Sequence, residues 1–275
     1  MNLQNELNEI MIRAGFNKTR RLEELAFSCI DLTTLNSTDT PGHVRAFTQR
    51  VNDFGNDFPS LPNVAAVCVY PNMVSVVKET LIQEKVKIAA VAGGFPSSMT
   101  FIGLKVKEAR MAVELGADEI DIVLPLWAFL GGDLTSCREE IATIKDAVGE
   151  AHLKVILETG SLAERDRIFK AAMLAMESGA DFIKTSTGKV SPAATPEATL
   201  IMCHAIREFH AKTGKRVGIK PAGGISSADD AILYLSIVKE VLGEDWMNPK
   251  LFRIGASRLA NHLLGDILDE EISYF

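Results

Sequence analysis

Short apolar runs alternate along the chain with longer segments in which apolar residues recur at helical spacing. Apolar runs without alternation are typical of parallel strands that are buried on both faces. Strands are predicted at residues 27–32, 64–70, 87–91, 119–124, 153–158, 216–220 and 251–255, and the sixth in chain order is the apolar run that carries Lys184. Helices are predicted at residues 2–27, 40–54, 72–84, 101–115, 161–178, 195–212, 226–242 and 257–268, with another after 124 that breaks near Gly131-Gly132.

A strand followed by a helix eight times, without a linker rich in proline or serine, predicts one closed (β/α)8 TIM barrel of the α/β class. An open doubly wound sheet is the competing fold, but it usually has fewer strands and a glycine-rich loop after the first. Here Asp31-Leu32-Thr33-Thr34 occupies that place, so no dinucleotide-binding loop is predicted. We expect a single domain over residues 1–275, with a helical extension at 1–26 capping one end and a tail at 269–275.

The amino-acid composition narrows the kinds of molecule that the protein is expected to bind. Hydrophobic residues make up 47% of the 275 residues, and the formal net charge is −7. A net acidic protein is not expected to bind nucleic acid or anionic membranes through general attraction to phosphate. Glu6 and Glu9 interrupt the N-terminal apolar residues, and no apolar run reaches the length of a membrane span. We therefore expect a cytoplasmic protein with neither nucleic-acid nor membrane partners.

The spacing of cysteines and histidines does not suggest a metal site. Cys29, Cys68, Cys137 and Cys203 lie far apart, which favours reduced thiols over a zinc ribbon or a disulfide framework. The five histidines also lack the spacing of known ligand motifs. We predict neither a metal nor another cofactor.

Charged residues lie within or at the ends of several predicted strands, and the carboxyl ends of the strands are where a barrel of this kind carries its chemistry. They are Asp31, Asp121, Lys154, Glu158, Lys184 and Lys220. Segments 116–121 and 179–184 align without gaps, which places Asp121 and Lys184 at equivalent positions of strands four and six. Because alternate strands fill one layer of a barrel, this carboxylate and this lysine are expected to face one cavity.

Lys184 is the candidate nucleophile. A lone strand lysine more often extends its ammonium group to solvent, but Lys220 lies on the adjacent predicted strand. Two ammonium groups about 6 Å apart repel by roughly 2.8 kcal/mol at an effective dielectric near 20. This repulsion and desolvation both lower the pKa of one lysine, and a neutral amine attacks carbonyl groups. A buried ion-pair network with Asp31, Asp121 and Glu158 is the structural alternative.

Three consecutive loops near the end of the chain carry glycines. They are Thr187-Gly188-Lys189, Pro221-Ala222-Gly223-Gly224 and Gly255-Ala256-Ser257. Glycine lets backbone N–H groups approach an anion, and a helix N-terminus adds the positive end of its dipole. Phosphate sites in such barrels commonly use the loops after strands seven and eight. We predict that these loops bind a phosphate group.

Seven motifs, in chain order, resemble the deoxyribose-phosphate aldolase family. They are Asp31-Leu32-Thr33-Thr34-Leu35, Cys68-Val69-Tyr70-Pro71, Asp118-Glu119-Ile120-Asp121, Leu157-Glu158-Thr159-Gly160, residues 182–189, Lys220-Pro221-Ala222-Gly223-Gly224 and Arg253-Ile254-Gly255-Ala256-Ser257. The resemblance covers residues 28–258 and implies a metal-free class I aldolase on a (β/α)8 barrel. Such an enzyme reversibly cleaves 2-deoxy-D-ribose 5-phosphate to acetaldehyde and D-glyceraldehyde 3-phosphate, in deoxyribose phosphate catabolism.

The resemblance also implies roles for the charged residues. Lys184 matches the lysine that forms the Schiff base, and Lys220 matches the lysine that lowers its pKa. Asp121 matches the carboxylate that transfers protons together with a water, and Lys154 resembles the lysine that supports its charge. These roles agree with the chemistry expected from the residues alone.

Other positions are less completely defined by the resemblance. Asp31 and Thr33 resemble contacts to substrate hydroxyl groups, and Cys68 resembles a thiol near the aldehyde pocket that needs no chemical role. Arg258 stands where the family often has a small hydroxyl residue, and we expect it to point outward rather than to the phosphate. Tyr274 is a candidate for the family's C-terminal tyrosine that helps move a proton, and a terminal tyrosine without a role is the alternative.

Two other functions remain open on the sequence. One is a different Schiff-base sugar-phosphate aldolase, of the transaldolase or fructose-bisphosphate type, and the other is a non-catalytic barrel that binds sugar phosphates. The expected ligands are a phosphorylated sugar and aldehydes. The sequence leaves a homodimer or a higher homo-oligomer open.

Overall fold

Eight parallel strands form a nearly closed barrel in the computed structural model, which describes residues 2–16 and 18–275. The strands are β1 (Ile30–Thr33), β2 (Ala66–Val69), β3 (Lys87–Val91), β4 (Glu119–Val123), β5 (His152–Ile156), β6 (Phe182–Lys184), β7 (Gly218–Lys220) and β8 (Ile254–Ala256). Each strand from β1 to β7 pairs with its neighbours in sequence, and β1 also pairs with β8. Backbone hydrogen bonds of Ile219 with Leu251 and Arg253 join β7 to the β8 segment. The predicted (β/α)8 barrel is confirmed.

Helices surround the barrel and connect its strands. They are α1 (Leu3–Phe16), α2 (Arg20–Ser28), α3 (Pro41–Asp57), α4 (Val74–Thr80), α5 (Ile102–Glu114), α6 (Leu126–Gly131), α7 (Leu134–Val148), α8 (Thr159–Leu162), α9 (Arg165–Glu177), α10 (Pro196–Thr213), α11 (Ala228–Leu242) and α12 (Leu259–Leu268). Threonines cap α3 and α10 immediately before a proline, and Ser227 and Asp230 form a capping box at α11. Within the described residues, no helix has the length and apolar character needed to cross a membrane.

Several element boundaries differ from the prediction. Phe27 lies in α2 instead of the first strand, because its ring packs against Phe54 of α3 with 5.0 Å between centroids. The helix predicted over 161–178 is two helices, and Ala163 between them has a positive φ of 56° that an α-helix does not accommodate. Strands β7 and β8 are three residues long and begin later than predicted.

The two ends of the chain lie on the outside of the barrel. Leu7 and Ile10 of α1 are buried, and α1 packs mainly against α11. Helix α2 packs against α12 and α11 and ends two residues before β1. After α12 the tail returns to α3, where the rings of Tyr274 and Phe275 contact Phe54. The main core therefore lies between the strands and the helices, and the terminal segments extend it.

Candidate active site

Charged side chains fill the interior of the barrel near the carboxyl ends of its strands. Lys184 ends β6 and is paired in register with Lys220, which ends β7. On the other side, Asp121 of β4 is paired with Lys154 of β5. Lys184 is 4% exposed, and the other three side chains are fully buried. Strand register alone thus brings two pairs of charged residues into one buried cluster.

Asp121 joins the three lysines of this cluster. Its Oδ2 accepts hydrogen bonds from the Nζ of Lys184 at 2.9 Å and from the Nζ of Lys220 at 2.8 Å. Its Oδ1 accepts from the Nζ of Lys154 at 2.9 Å. Because both Lys184 and Lys220 reach the same oxygen, their nitrogen atoms must lie close together. Asp121 therefore has the contacts expected of a group that exchanges protons with Lys184.

A second layer of charged side chains lies deeper in the barrel than Asp121. Arg253 contacts Asp31 Oδ1 through Nη1 at 2.5 Å and Glu119 Oε1 through Nη2 at 2.7 Å. The Nζ of Lys220 lies 2.5 Å from Asp31 Oδ2, and the Nζ of Lys154 lies 2.5 Å from Glu119 Oε2. Asp31 is fully buried in this layer. Both of its oxygens face cations, Lys220 and Arg253, and its predicted contact with substrate hydroxyl groups stays a prediction.

The charges of the two layers balance only if one cation is neutral. The carboxylates are Asp31, Glu119 and Asp121, and the cationic groups are Lys154, Lys184, Lys220 and Arg253. Each cationic group except Lys184 contacts at least two of these carboxylates, whereas Lys184 contacts Asp121 alone among the described residues. Since unpaired charge is costly to bury, the cluster favours a neutral Lys184 amine.

The surroundings of Lys184, Lys220 and Asp121 shift their pKa values in directions that agree with this charge balance. Burial lowers the pKa of Lys184, and the charge of Lys220 lowers it further, against the opposing effect of Asp121. For Lys220, burial acts to lower the pKa, but Asp121 and Asp31 outweigh it and raise the pKa. Burial also acts to raise the pKa of Asp121, but Lys154, Lys184 and Lys220 hold it well below its usual range. The directions of these pKa shifts favour a neutral Lys184 amine beside an ionised Asp121 and a charged Lys220.

A cavity of about 480 Å³ opens above the cluster and has Lys184 in its wall. Eight further residues predicted for the site line it: Thr33, Thr187, Gly188, Lys189, Gly223, Gly224, Gly255 and Ser257. Cys68 is fully buried in a small apolar cluster with Leu35, Ala66, Ala89 and Val91. Burial raises the pKa of the Cys68 thiol, so it acts as an apolar neighbour of the lysines.

Backbone N–H groups are available on the glycine-bearing side of the cavity. Those of Gly188, Gly224 and Ser257 have no hydrogen-bond acceptor within residues 2–16 and 18–275. Gly223 has a φ of 83°, and a Cβ there would lie 3.0 Å from the Cα of Gly188, so glycine lets the two loops meet. This wall of the cavity therefore offers several amide donors to an anion.

Three polar side chains complete the same wall. The Thr187 hydroxyl donates to Glu158 Oε2 at 2.6 Å, which anchors the loop after β6. The Nζ of Lys189 donates to the carbonyl oxygen of Leu35 at 2.7 Å. Arg258 is exposed, lines the cavity and makes no hydrogen bond or ion pair through its guanidinium with the described part of the chain. Arg258, which was expected to point outward, is therefore among the residues that line the cavity.

Tyr274 lies away from Lys184. Its hydroxyl donates to Asp57 Oδ2 at 2.7 Å and lies 3.1 Å from the carbonyl oxygen of Arg50. Its ring packs edge-on against Phe58, with 5.2 Å between centroids. None of these neighbours lines the cavity, whereas the following residue, Phe275, does. This structure does not bring the predicted tyrosine to the candidate nucleophile.

Comparison with protein families matches residues 26–241 to a family described as DeoC/LacD family aldolase. The chain belongs to the DeoC/LacD aldolase family. It is 44% identical over 244 residues to the deoxyribose-phosphate aldolase of Bos taurus, a match covering 85% of this chain and 77% of the relative. It is 43% identical over 248 residues to the deoxyribose-phosphate aldolase of Homo sapiens, covering 86% and 78%.

Solved structures of other aldolases resemble this DeoC/LacD aldolase in fold. QR15, an aldolase, matches with a TM-score of 0.71 and 30% identity, over 89% of this chain and 96% of that chain. A deoxyribose phosphate aldolase from Aeropyrum pernix, whose structure is described as tetrameric, matches with a TM-score of 0.72 and 24% identity, over 94% and 97%. The likeness agrees with the barrel described above.

Two charged residues of this DeoC/LacD aldolase had no role in the sequence prediction. Glu119 and Arg253 lie in recognised motifs, but the structure shows them holding the deep layer of the cluster together. The spacing of Glu119 and Asp121 was a usable signal, because residues two apart on a strand face the same side. No local pattern could place Arg253, which is separated from Asp31 by 222 positions.

Proposed function

We propose that this protein is a deoxyribose-phosphate aldolase that works through a Schiff base on Lys184. Its reaction would be the reversible cleavage of 2-deoxy-D-ribose 5-phosphate to acetaldehyde and D-glyceraldehyde 3-phosphate, in the catabolism of deoxyribose phosphate. The observation that carries the proposal is the lowered pKa of Lys184 in the wall of the cavity, between Asp121 and Lys220. The curated relatives of the same name support the choice of substrate.

In the first half of the reaction, the neutral amine of Lys184 attacks the aldehyde carbon of the open-chain sugar phosphate and forms a carbinolamine. Loss of water then gives a protonated imine. Asp121 is hydrogen bonded to the amine at 2.9 Å, so it can accept and return the protons that these steps move. Lys220 stays charged and keeps Asp121 ionised, which leaves that carboxylate able to act as a base.

In the second half, the bond between C2 and C3 breaks and its electron pair moves to the imine, which becomes an enamine. The C3 hydroxyl group loses its proton, so that carbon leaves as the aldehyde of D-glyceraldehyde 3-phosphate. The enamine takes up a proton at C2, and water then releases acetaldehyde and restores the Lys184 amine. Protons and electrons balance without an external oxidant or reductant.

The substrate phosphate would bind at the glycine-bearing wall of the cavity. The free amides of Gly188, Gly224 and Ser257 supply hydrogen-bond donors, and Arg258 supplies a positive charge. The loops after β6, β7 and β8 form this end of the cavity. Lys184, the last residue of β6, lies in the wall of the same cavity. A sugar phosphate held at both ends would place its aldehyde at the amine. We also infer a cytoplasmic location, which the four free cysteines support.

Borohydride reduction in the presence of substrate tests the proposal directly. We expect a covalent adduct on Lys184, identified by mass spectrometry of peptides, because reduction fixes the imine as a stable amine. Lys184→Leu should lose the adduct and at least about 1,000-fold of the cleavage rate, since the nucleophile is absent. Circular dichroism should show the variant folded. Binding of sugar phosphate without any adduct on Lys184 would indicate a binding protein and refute the aldolase mechanism.

A further inference from the structure

Glu158 is a buried acidic residue to which the mechanism above gives no role. It lies two residues after the end of β5 and is 2% exposed. In the part of the chain that the structure describes, no lysine, arginine or histidine forms an ion pair with it. A carboxylate is costly to bury without a cation, so its presence at the carboxyl end of a barrel strand requires a physical reason.

The backbone of Glu158 has a left-handed conformation. Its φ is 53° and its ψ is 59°, values that glycine adopts freely and that other residues rarely adopt. Hydrogen bonds to the β6 segment flank it on both sides. The N–H of Leu157 donates to the carbonyl oxygen of Lys184 at 2.8 Å, and the N–H of Thr159 donates to that of Thr185 at 2.9 Å. Backbone strain of this kind persists only where the surroundings hold it, and it is concentrated at functional sites.

Both carboxylate oxygens of Glu158 bind one residue of the loop after β6. Oε2 accepts from the Thr187 hydroxyl at 2.6 Å, and Oε1 accepts from the Thr187 backbone N–H at 3.2 Å. The Thr187 oxygen in turn accepts from the backbone N–H of Lys189 at 3.1 Å. One carboxylate therefore holds the backbone and the side chain of Thr187, and through that hydroxyl it also holds the backbone at Lys189.

Gly188 lies between the two residues that are held in this way. The N–H of Thr187 is already bonded to Glu158, whereas that of Gly188 has no acceptor in the described ranges, 2–16 and 18–275. The loop is also tied to β7, because the Ser186 hydroxyl donates to the carbonyl oxygen of Ala222 at 2.6 Å. Glu158 does not line the cavity, so it can act on a bound anion only through this loop.

We propose that Glu158 is a positioning residue for phosphate recognition, which holds the loop after β6 so that the Gly188 amide faces the phosphate. The identity of the substrate rests on the proposed function, but binding of an anion to this loop does not require the Schiff base. Lys184 is positioned separately, by its hydrogen bond to Asp121 and by the pairing of β6 with β7. Glu158 therefore affects the affinity for phosphate more than the reactivity of the amine.

Inorganic phosphate is the probe of the loop itself. We expect the wild type to bind it at millimolar concentration, measured by titration with phosphorus NMR. Glu158→Ala should weaken this affinity about tenfold, because Thr187 loses both of its contacts. Glu158→Gln should weaken it only about threefold, because the amide oxygen still accepts from the Thr187 N–H. This order of the two variants is the rescue expected of a positioning residue.

Glu140→Ala is the matched control for Glu158→Ala. Glu140 of α7 is also largely buried and accepts from the Nζ of Lys105 at 2.6 Å, but it does not line the cavity. Its loss should lower stability in urea without changing the affinity for phosphate. Circular dichroism should show that all three variants are folded.

Substrate kinetics separate a positioning role from general damage. Glu158→Ala should raise KM for 2-deoxyribose 5-phosphate about tenfold and lower kcat less than about twofold. Its cleavage of unphosphorylated 2-deoxyribose should fall by less than about twofold, since that substrate does not use the loop. An equal loss for both substrates would overturn the proposal. It would also be overturned by a wild type that binds no phosphate, or by an affinity that Glu158→Ala leaves unchanged.

Failure of the proposed function has a different signature. Borohydride trapping with acetaldehyde should label Lys184 in the wild type and in Glu158→Ala, because acetaldehyde carries no phosphate. A wild type without this adduct would refute the Schiff base. If that protein still bound phosphate, and Glu158→Ala weakened the binding, the role of Glu158 in the loop would be supported nonetheless.

Discussion

Lys184 and Lys220 have the same side chain and lie on adjacent strands, but their surroundings give them opposite properties. Lys220 contacts two carboxylates, Asp121 and Asp31, whereas Lys184 contacts Asp121 and borders the cavity. The pKa of Lys184 is lowered and that of Lys220 is raised. The difference arises from the number of neighbouring acids, because both ammonium groups are buried.

Replacing Lys220 should therefore change the protonation of Lys184. In Lys220→Met, the three carboxylates of the cluster retain only two permanent cations, so the cluster favours a charged Lys184. The pKa of Lys184 rises, the neutral amine forms only at higher pH, and the rate of imine formation at pH 7 falls at least about tenfold. The pH dependence of borohydride trapping measures this change.

Lys145→Met provides the control for Lys220→Met, because Lys145 also contacts a carboxylate, that of Asp181, but lies outside the cluster. Its pH profile should match that of the wild type. If Lys220→Met had an unchanged profile, Lys220 could not be the residue that controls Lys184.

Arg258 allows a separate test of phosphate recognition. Arg258 lines the cavity and its guanidinium has no partner in the described residues, so a bound phosphate would supply its counter-charge. Arg258→Ser should raise KM for 2-deoxyribose 5-phosphate about tenfold and leave kcat nearly unchanged, since one charge-assisted contact is lost. Cleavage of unphosphorylated 2-deoxyribose, compared in the same assay, should not change. An equal loss for both substrates would assign Arg258 a structural role.

Among the elements, the contact between β7 and β8 positions Lys220, one of the two candidate catalytic lysines. Gly255 of β8 lies directly beside this lysine, because a Cβ there would approach Ala222 Cβ to 2.7 Å and Lys220 Cε to 3.0 Å. Strand β8 therefore requires glycine so that Lys220 can reach Asp121. The same glycine was predicted from sequence as part of a phosphate loop, and the structure adds its role beneath Lys220.

Gly255→Ala should displace Lys220 and lower both the stability and the rate of cleavage. We expect a loss of about 1–3 kcal/mol in the free energy of unfolding from overpacking, and at least about a tenfold loss in kcat. Gly55→Ala on α3 is the matched control, since its Cβ would meet no atom within 4 Å. Urea unfolding and steady-state kinetics compare the variants. A fully active Gly255→Ala enzyme would show that Lys220 tolerates this displacement.

At the scale of the whole molecule, the end of the chain contributes to the cavity at the carboxyl ends of the strands, because Phe275 is one of its lining residues. The C-terminal tail is tied to α12 by Asn261, whose Oδ1 accepts from the backbone N–H groups of Tyr274 and Phe275, and its two rings pack on Phe54 of α3.

The sequence by itself determined the alternation of strands and helices, because the periods of apolar residues and the helix caps are local properties. It also determined that Lys184 and Lys220 are neighbours, since consecutive parallel strands of a barrel pair and both lysines end their strands. The glycines after β6 and β7 pointed to the wall of the cavity that carries free amides, because Gly188, Gly223 and Gly224 have positive φ values that other residues rarely adopt.

Only the tertiary structure decided which charges meet. Asp31, which was predicted to contact the substrate, is a buried partner of Lys220 and Arg253. Arg258, which was expected to point outward, is among the residues that line the cavity. A long side chain inside a barrel can reach several carboxylates. The packing of all eight strands together determines which of them it contacts. The position of Tyr274 on Asp57 likewise depends on how the tail docks 217 residues away in sequence. Such contacts have no local pattern, because burial and charge balance are properties of the assembled core.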